Sequence, residues 1–138
     1  MSTVGLEAQV TTILRAMNAA GGYPMSLVCT AHGLLVAAAG EQLRSEVLAG
    51  LTSLFDDIVV RAARDLGLAA VDELSLSDTR VGRLVVRPLT PDRPTRLFLV
   101  VQVPPHRAWR RSTKAAARRL VASLRPLLAT TTTNPTDE

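Results

Sequence analysis

Residues 26–66 read SLVCTAHGLLVAAAGEQLRSEVLAGLTSLFDDIVVRAARDL. Two apolar runs, 26–31 and 34–38, meet at His32-Gly33, where a small pair with glycine second suits a tight hairpin turn. One long amphipathic helix follows, over about 43–66. At 100° per residue, Leu54, Val47, Ile58, Leu51, Ala62, Phe55, Leu48, Leu66 and Val59 share an arc of roughly 140°. That arc is expected to pack on the chain's own sheet. The opposite side carries Ala49, Ser53, Asp56, Asp57, Val60 and Arg64, and its small residues would admit a second helix closely. Gly67 is a natural stop.

Working outward, residues 4–20 predict a first helix, with Leu6, Val10, Ile13, Leu14 and Met17 at helical spacing and Ser2 and Thr3 as caps. Gly21-Gly22-Tyr23-Pro24 ends it. Downstream, 71–77 alternates through Leu74 and Leu76, and 83–89 alternates basic with apolar groups. The run 97–103 (LFLVVQV) is continuously apolar, as a central strand covered on both faces would be. Thr90 to Pro94 supply the intervening turn. A last helix is expected over 107–125 and should end at Pro126. The order is helix, two strands, helix, three strands, helix. Residues 1–128 form one domain in this reading, and 129–138 a disordered polar tail.

Composition bounds the class. Hydrophobic residues are 47% and charged residues 20%, enough for a core and against global disorder. The core must be aliphatic, since Tyr23, Phe55, Phe98 and Trp109 are the only aromatics. No apolar run approaches the roughly 18 residues of a membrane span, and no signal peptide is apparent at the N-terminus. With Cys29 alone, no internal disulfide can form, and the cytoplasm is the simplest expectation. Net charge is +4 but divided: residues 1–79 carry four basic and nine acidic groups, whereas 80–125 carry twelve basic groups against Asp92. Such asymmetry suggests an acidic protein, a nucleic acid or an anionic membrane as partner.

The landmarks Leu27 to Ala31, His32-Gly33-Leu34-Leu35-Val36-Ala37, Leu66-Gly67-Leu68, Glu73-Leu74-Ser75-Leu76, Gly82 to Leu89 and Leu97 to Val103 occur in an order that resembles the Roadblock/dynein light chain family, with its bacterial MglB-like regulators and scaffolds. The likeness spans about residues 4–125 and lies in the ordered pattern. It departs at Pro104 to Trp109, where the family often has a short glycine-containing loop. The resemblance implies an α+β sandwich. A five-stranded antiparallel sheet would carry the middle helix on one face and the terminal helices on the other. It implies a homodimer through the middle helices and the following strand, and association with small Ras-like GTPases or other Roadblock proteins, without catalysis by the chain itself.

A search for chemistry returns little. No GxxxxGK[ST] or GxGxxG motif is present. His32, His106 and Cys29 lack metal-ligand spacing, so neither a metal nor another cofactor is expected. Cys29 reads as a small core residue. His106 reads as an exposed loop histidine, and Asp56-Asp57 diverge by 100° on a helix. The sharpest remaining feature is basic: Arg107, Arg111, Lys114, Arg118 and Arg125 fall within about 60° on a helical wheel, with Trp109, Ala116, Leu120, Leu124 and Leu127 on the other side. An ordinary solvated stripe is one reading and a docking surface for an acidic protein the next. Nucleic acid and anionic lipid rank below these: the stripe holds no aromatic for base stacking, and the helix's apolar face, expected on the sheet, would not enter a bilayer.

The expectation is therefore a non-catalytic homodimeric interaction module that regulates or scaffolds a small GTPase. Its seam would comprise Ala49, Ser53, Asp56, Val60, Arg64, Leu74 and Leu76, and its partner-binding stripe the five basic residues above. An adaptor for nucleic acid or anionic membrane through the basic helix is the alternative.

Overall fold

The computed structural model describes residues 3–90 and 96–132, without the side chains of 3–4, 42–46 and 126–132. Its elements are α1 (Thr3–Gly21), β1 (Met25–Thr30), β2 (Leu35–Gly40), α2 (Gln42–Leu66), β3 (Leu74–Asp78), β4 (Gly82–Pro88), β5 (Leu97–Val103) and α3 (Arg110–Thr132). The strands form one antiparallel sheet in the order β2-β1-β5-β4-β3.

β5 lies at the centre, which explains its unbroken apolar run. Leu97, Leu99, Val101 and Val103 join Val28, Val85 and the apolar faces of α1 and α3 in one core. Phe98 and Val100 point the other way and join Met25, Leu27, Cys29, Val86 and Ala49 beneath α2. The molecule has three layers: α1 with α3, the sheet, and α2. The Tyr23 hydroxyl ties the first layer together, donating to the Ala108 carbonyl at 2.8 Å.

The turn between β1 and β2 is longer than a two-residue hairpin. Thr30 and Leu34 pair through the Thr30 amide and the Leu34 carbonyl (2.9 Å), leaving Ala31, His32 and Gly33 as the loop. The Thr30 hydroxyl accepts from the His32 and Leu34 amides. Gly33 takes φ +86°, and a Cβ there would sit 3.0 Å from the Ala49 carbonyl oxygen. Glycine is needed both for the left-handed backbone and for the close approach of α2.

Two expectations need correction. The apolar arc of α2 does not all face the sheet. Ala49 and Thr52 are fully buried there and Val59 nearly so, while Val47, Leu51, Leu54 and Ile58 stand exposed. The helix is turned by about one residue's 100° from the expected setting. The reason is steric: α2 lies close over β1 and the Gly33 turn, where the small Ala49 makes the nearest approach, while Leu48 and Phe55 pack half-buried beside it. Thr52 satisfies its own hydroxyl by donating to the Leu48 carbonyl at 2.8 Å.

The second correction concerns α3, which continues through Pro126 to Thr132. Proline there forgoes one backbone hydrogen bond without ending the helix. Four residues assigned to the polar tail are thus helical, and 133–138 lie outside the described residues, as does most of the Thr90–Pro94 turn. At its near end, the Thr90 hydroxyl accepts from the Leu97 amide at 3.0 Å.

Candidate interaction surface

The exposed side of α2 carries Val47, Leu51, Leu54 and Ile58 at spacings of four, three and four, a straight apolar ridge. Beside it, the β3–β4 part of the sheet is only partly covered by the chain's own helix. Leu74 and Leu84 are half-buried against the α2-side core, and Leu76, opposite Leu84 in the ladder, is 62% exposed. A cavity of about 370 Å³ opens between Val47 and Leu48 on the helix and Leu76, Gly82 and Leu84 on the sheet. Ridge, cavity and sheet make one apolar trough, bounded by edge strand β3. Single chains seldom expose contiguous apolar surface of this kind.

The expected seam residues are divided by this geometry. Leu74 and Leu76 lie in the trough. Ala49 is wholly buried against the sheet and has no surface to offer a partner. Asp56 faces Arg96 at 2.9 Å, a largely buried charge contact that pins α2 to the start of β5. The Ser53 hydroxyl donates to the Gly50 carbonyl at 3.1 Å. Arg64 pairs with its neighbour Asp65 in solvent, and Val60 is 39% exposed, beside Ala63 and Val71 in a separate cleft. Val47, Leu51, Leu54 and Ile58 share the helical arc expected to pack on the sheet, yet stand exposed. Their 4-3-4 spacing is the signal in the sequence for a ridge of their own.

The basic residues divide likewise. Arg111, Lys114, Arg118 and Arg125 are exposed along the crest of α3, opposite the buried Ala116, Leu120 and Leu124. Arg107 precedes the helix, and its guanidinium lies over Gly22 instead of continuing the row. Trp109 is half-buried, and its indole N–H donates to the Glu73 carboxylate at 3.2 Å. The Arg83 and Arg110 guanidinium groups stack over the ring at 4.3 and 4.7 Å. Glu73 also pairs with the buried Arg87, 3.6 Å away, and Arg87 reaches Asp72 at 3.1 Å. This network, centred on the buried Arg87, joins the approach to β3, β4 and the entry to α3, and no spacing in the sequence announces it.

The Cys29 thiol is buried beneath α2, and burial pushes its pKa up to about 11 despite a hydrogen bond with Thr52. Such a thiol is a poor nucleophile. Asp78 accepts from the Arg80 and Val81 amides at 2.9 and 2.7 Å, which lowers its pKa and shapes the β3–β4 turn. Among the described residues, no three His, Cys, Asp or Glu side chains converge as a metal site, and no helix is long and apolar enough to cross a membrane.

This arrangement of three helices and a five-stranded antiparallel sheet occurs in known structures. This is the Roadblock/LC7 fold. Myxococcus xanthus MglB superposes with a TM-score of 0.74 at 16% identity, covering 87% of this chain and 90% of that one. An MglB structure with a tetrameric arrangement gives 0.68 at 18%, covering 86% and 93%. A Roadblock/LC7 domain from Streptomyces avermitilis gives 0.63 at 14%, covering 86% and 97%. No protein-family model and no curated protein matches the sequence. The Roadblock/LC7 fold is thus carried here by a sequence that shares few residues with those structures.

Proposed function

We propose that the chain is a non-catalytic homodimeric interaction module in which the α2 ridge of each copy lies in the other's trough. The apolar ridge Val47-Leu51-Leu54-Ile58 and its continuation onto Leu76 carry this reading. Burying the exposed half of eight such side chains, four per copy, contributes roughly 6–12 kcal/mol. Association itself costs on the order of 4–15 kcal/mol. The ridge alone is therefore marginal, and Leu76 with the backbone of edge strand β3 supplies the remainder. The likeness to an MglB of tetrameric arrangement supports self-association. Light scattering at micromolar concentration is expected to return the mass of two chains, and Leu51→Glu with Leu54→Glu the mass of one. A wild-type mass of one chain overturns the pairing.

The dimer acts as a regulator or scaffold of a small Ras-like GTPase, a reading supported by the shared fold with MglB structures. It needs no catalytic residue: binding one nucleotide state more tightly shifts the partner's switch-loop population by the difference in affinity. Pull-downs with GTP- and GDP-loaded candidate GTPases are expected to differ. Equal or absent capture of both removes this role and leaves the pairing untouched.

A further inference from the structure

The proposed pairing leaves the outer layer, α1 with α3, without an assigned role. α3 carries six basic groups and no acidic one. Arg111, Lys114, Arg118 and Arg125 follow its crest for about 21 Å at 1.5 Å per residue, with Arg110 and Arg119 on either flank. None of these six enters an ion pair among the described residues. The neighbouring α1 adds only Glu7 and Arg15 as charges, and its outward side is small, with Ala8, Thr12, Ala16 and Ala19 exposed. The long cations of α3 therefore project beyond it. Among the described residues, every exposed large apolar side chain lies outside α1 and α3.

We infer that this crest docks the chain on an anionic lipid surface. A protein partner of useful affinity needs a buried apolar or aromatic anchor at the centre of its contact; among the described side chains of α1 and α3 no large apolar one is exposed, and the half-buried Trp109 just before α3 is covered by the Arg83 and Arg110 guanidinium groups. The crest holds no Asn, Gln or aromatic side chain to read or stack on bases. A plane of anionic headgroups asks only for projecting cations on a flat, low layer, and each cation near such a surface contributes independently of side-chain fit. The apolar side of α3 is occupied by the sheet core, so the helix lies against the headgroups without inserting.

The test is co-sedimentation of the full chain with vesicles of phosphatidylcholine alone or with about 30% phosphatidylglycerol, at roughly 50 and 200 mM salt. Binding is expected to the anionic vesicles only, and to weaken about tenfold or more at the higher salt. Arg111→Glu with Arg118→Glu is expected to abolish it while the circular dichroism and the solution mass stay unchanged. The mass reads the α2 seam on the opposite layer, so failure of docking and failure of pairing are separate results. Absence of binding to anionic vesicles at low salt overturns the inference. So does binding indifferent to the double charge reversal, and so does tighter binding to random-sequence duplex DNA at equal salt, which reassigns the crest to nucleic acid.

Discussion

Gly33 and Cys29 show how closely α2 is seated. At Gly33 a side chain meets two obstacles, a φ of +86° and the Ala49 carbonyl oxygen 3.0 Å away. Gly33→Ala is expected to destabilise the chain by roughly 1–2 kcal/mol, read as a lower urea midpoint at unchanged slope. For Cys29 the folded state holds the proton more tightly than the unfolded one, with a pKa of about 11 against 9.0. Its contribution is therefore complete below pH 9 and is lost as the pH rises from 9 towards 11, by roughly 2–3 kcal/mol. Cys29→Ala should flatten that part of the stability profile relative to wild type. Thiol reagents at pH 8 should label the native protein only as fast as it opens. Burial of Cys29 was legible from its place in an apolar run. The glycine's second duty, to admit a helix, was not, because it depends on a neighbour sixteen positions along the chain.

At the scale of elements, β5 was legible to the residue. A central strand needs apolar groups on both faces, and few segments of this sequence other than 97–103 provide them. The setting of α2 was not. An apolar arc of roughly 140° is wider than one helix–sheet contact uses, and periodicity does not say which part is covered at home. The close approach at Gly33 puts Ala49 and Thr52 inward, so that only one side of the arc, with Leu48, Phe55 and Val59, reaches the sheet and Val47, Leu51, Leu54 and Ile58 stay outward. The rule that large apolar residues go inside failed on part of the arc, the part that the proposed pairing would cover. The two sides should answer differently to substitution. Ala49→Leu overfills the contact with the sheet and should cost about 1–3 kcal/mol in thermal or urea unfolding. Leu54→Ser should change the stability of an isolated chain by less than about 0.5 kcal/mol and register instead as weaker self-association by sedimentation. The end of α3 was misplaced for a similar reason: Pro126 removes one hydrogen bond, a local cost that a helix can absorb.

For the whole molecule, positive charge is concentrated in one layer. α3 carries six basic groups and no acidic one, whereas α2 across the sheet mixes Glu46, Asp56, Asp57 and Asp65 with Arg44, Arg61 and Arg64. The sequence disclosed the basic run but not that the sheet would set it apart from the apolar ridge. Salt should then act on the two proposed contacts in opposite senses. Self-association through the apolar trough should hold or strengthen between roughly 50 and 500 mM sodium chloride, since screening weakens only charge-driven contacts. Attachment through the α3 crest should fail over the same interval. Sedimentation velocity and vesicle binding, run on one sample series, check both.

The placement of ridge and crest on separate layers bears on inheritance. A gene copy altered only at Arg111 or Arg118 still makes a chain with a sound α2. In the proposed dimer such a chain would be taken up by its normal sibling, and in a cell making both in equal amounts only about a quarter of the pairs would be free of it. A lesion at Leu51 or Leu54 would instead withdraw its own product and leave the sibling's pairs intact, so the first class of allele should be dominant and the second recessive.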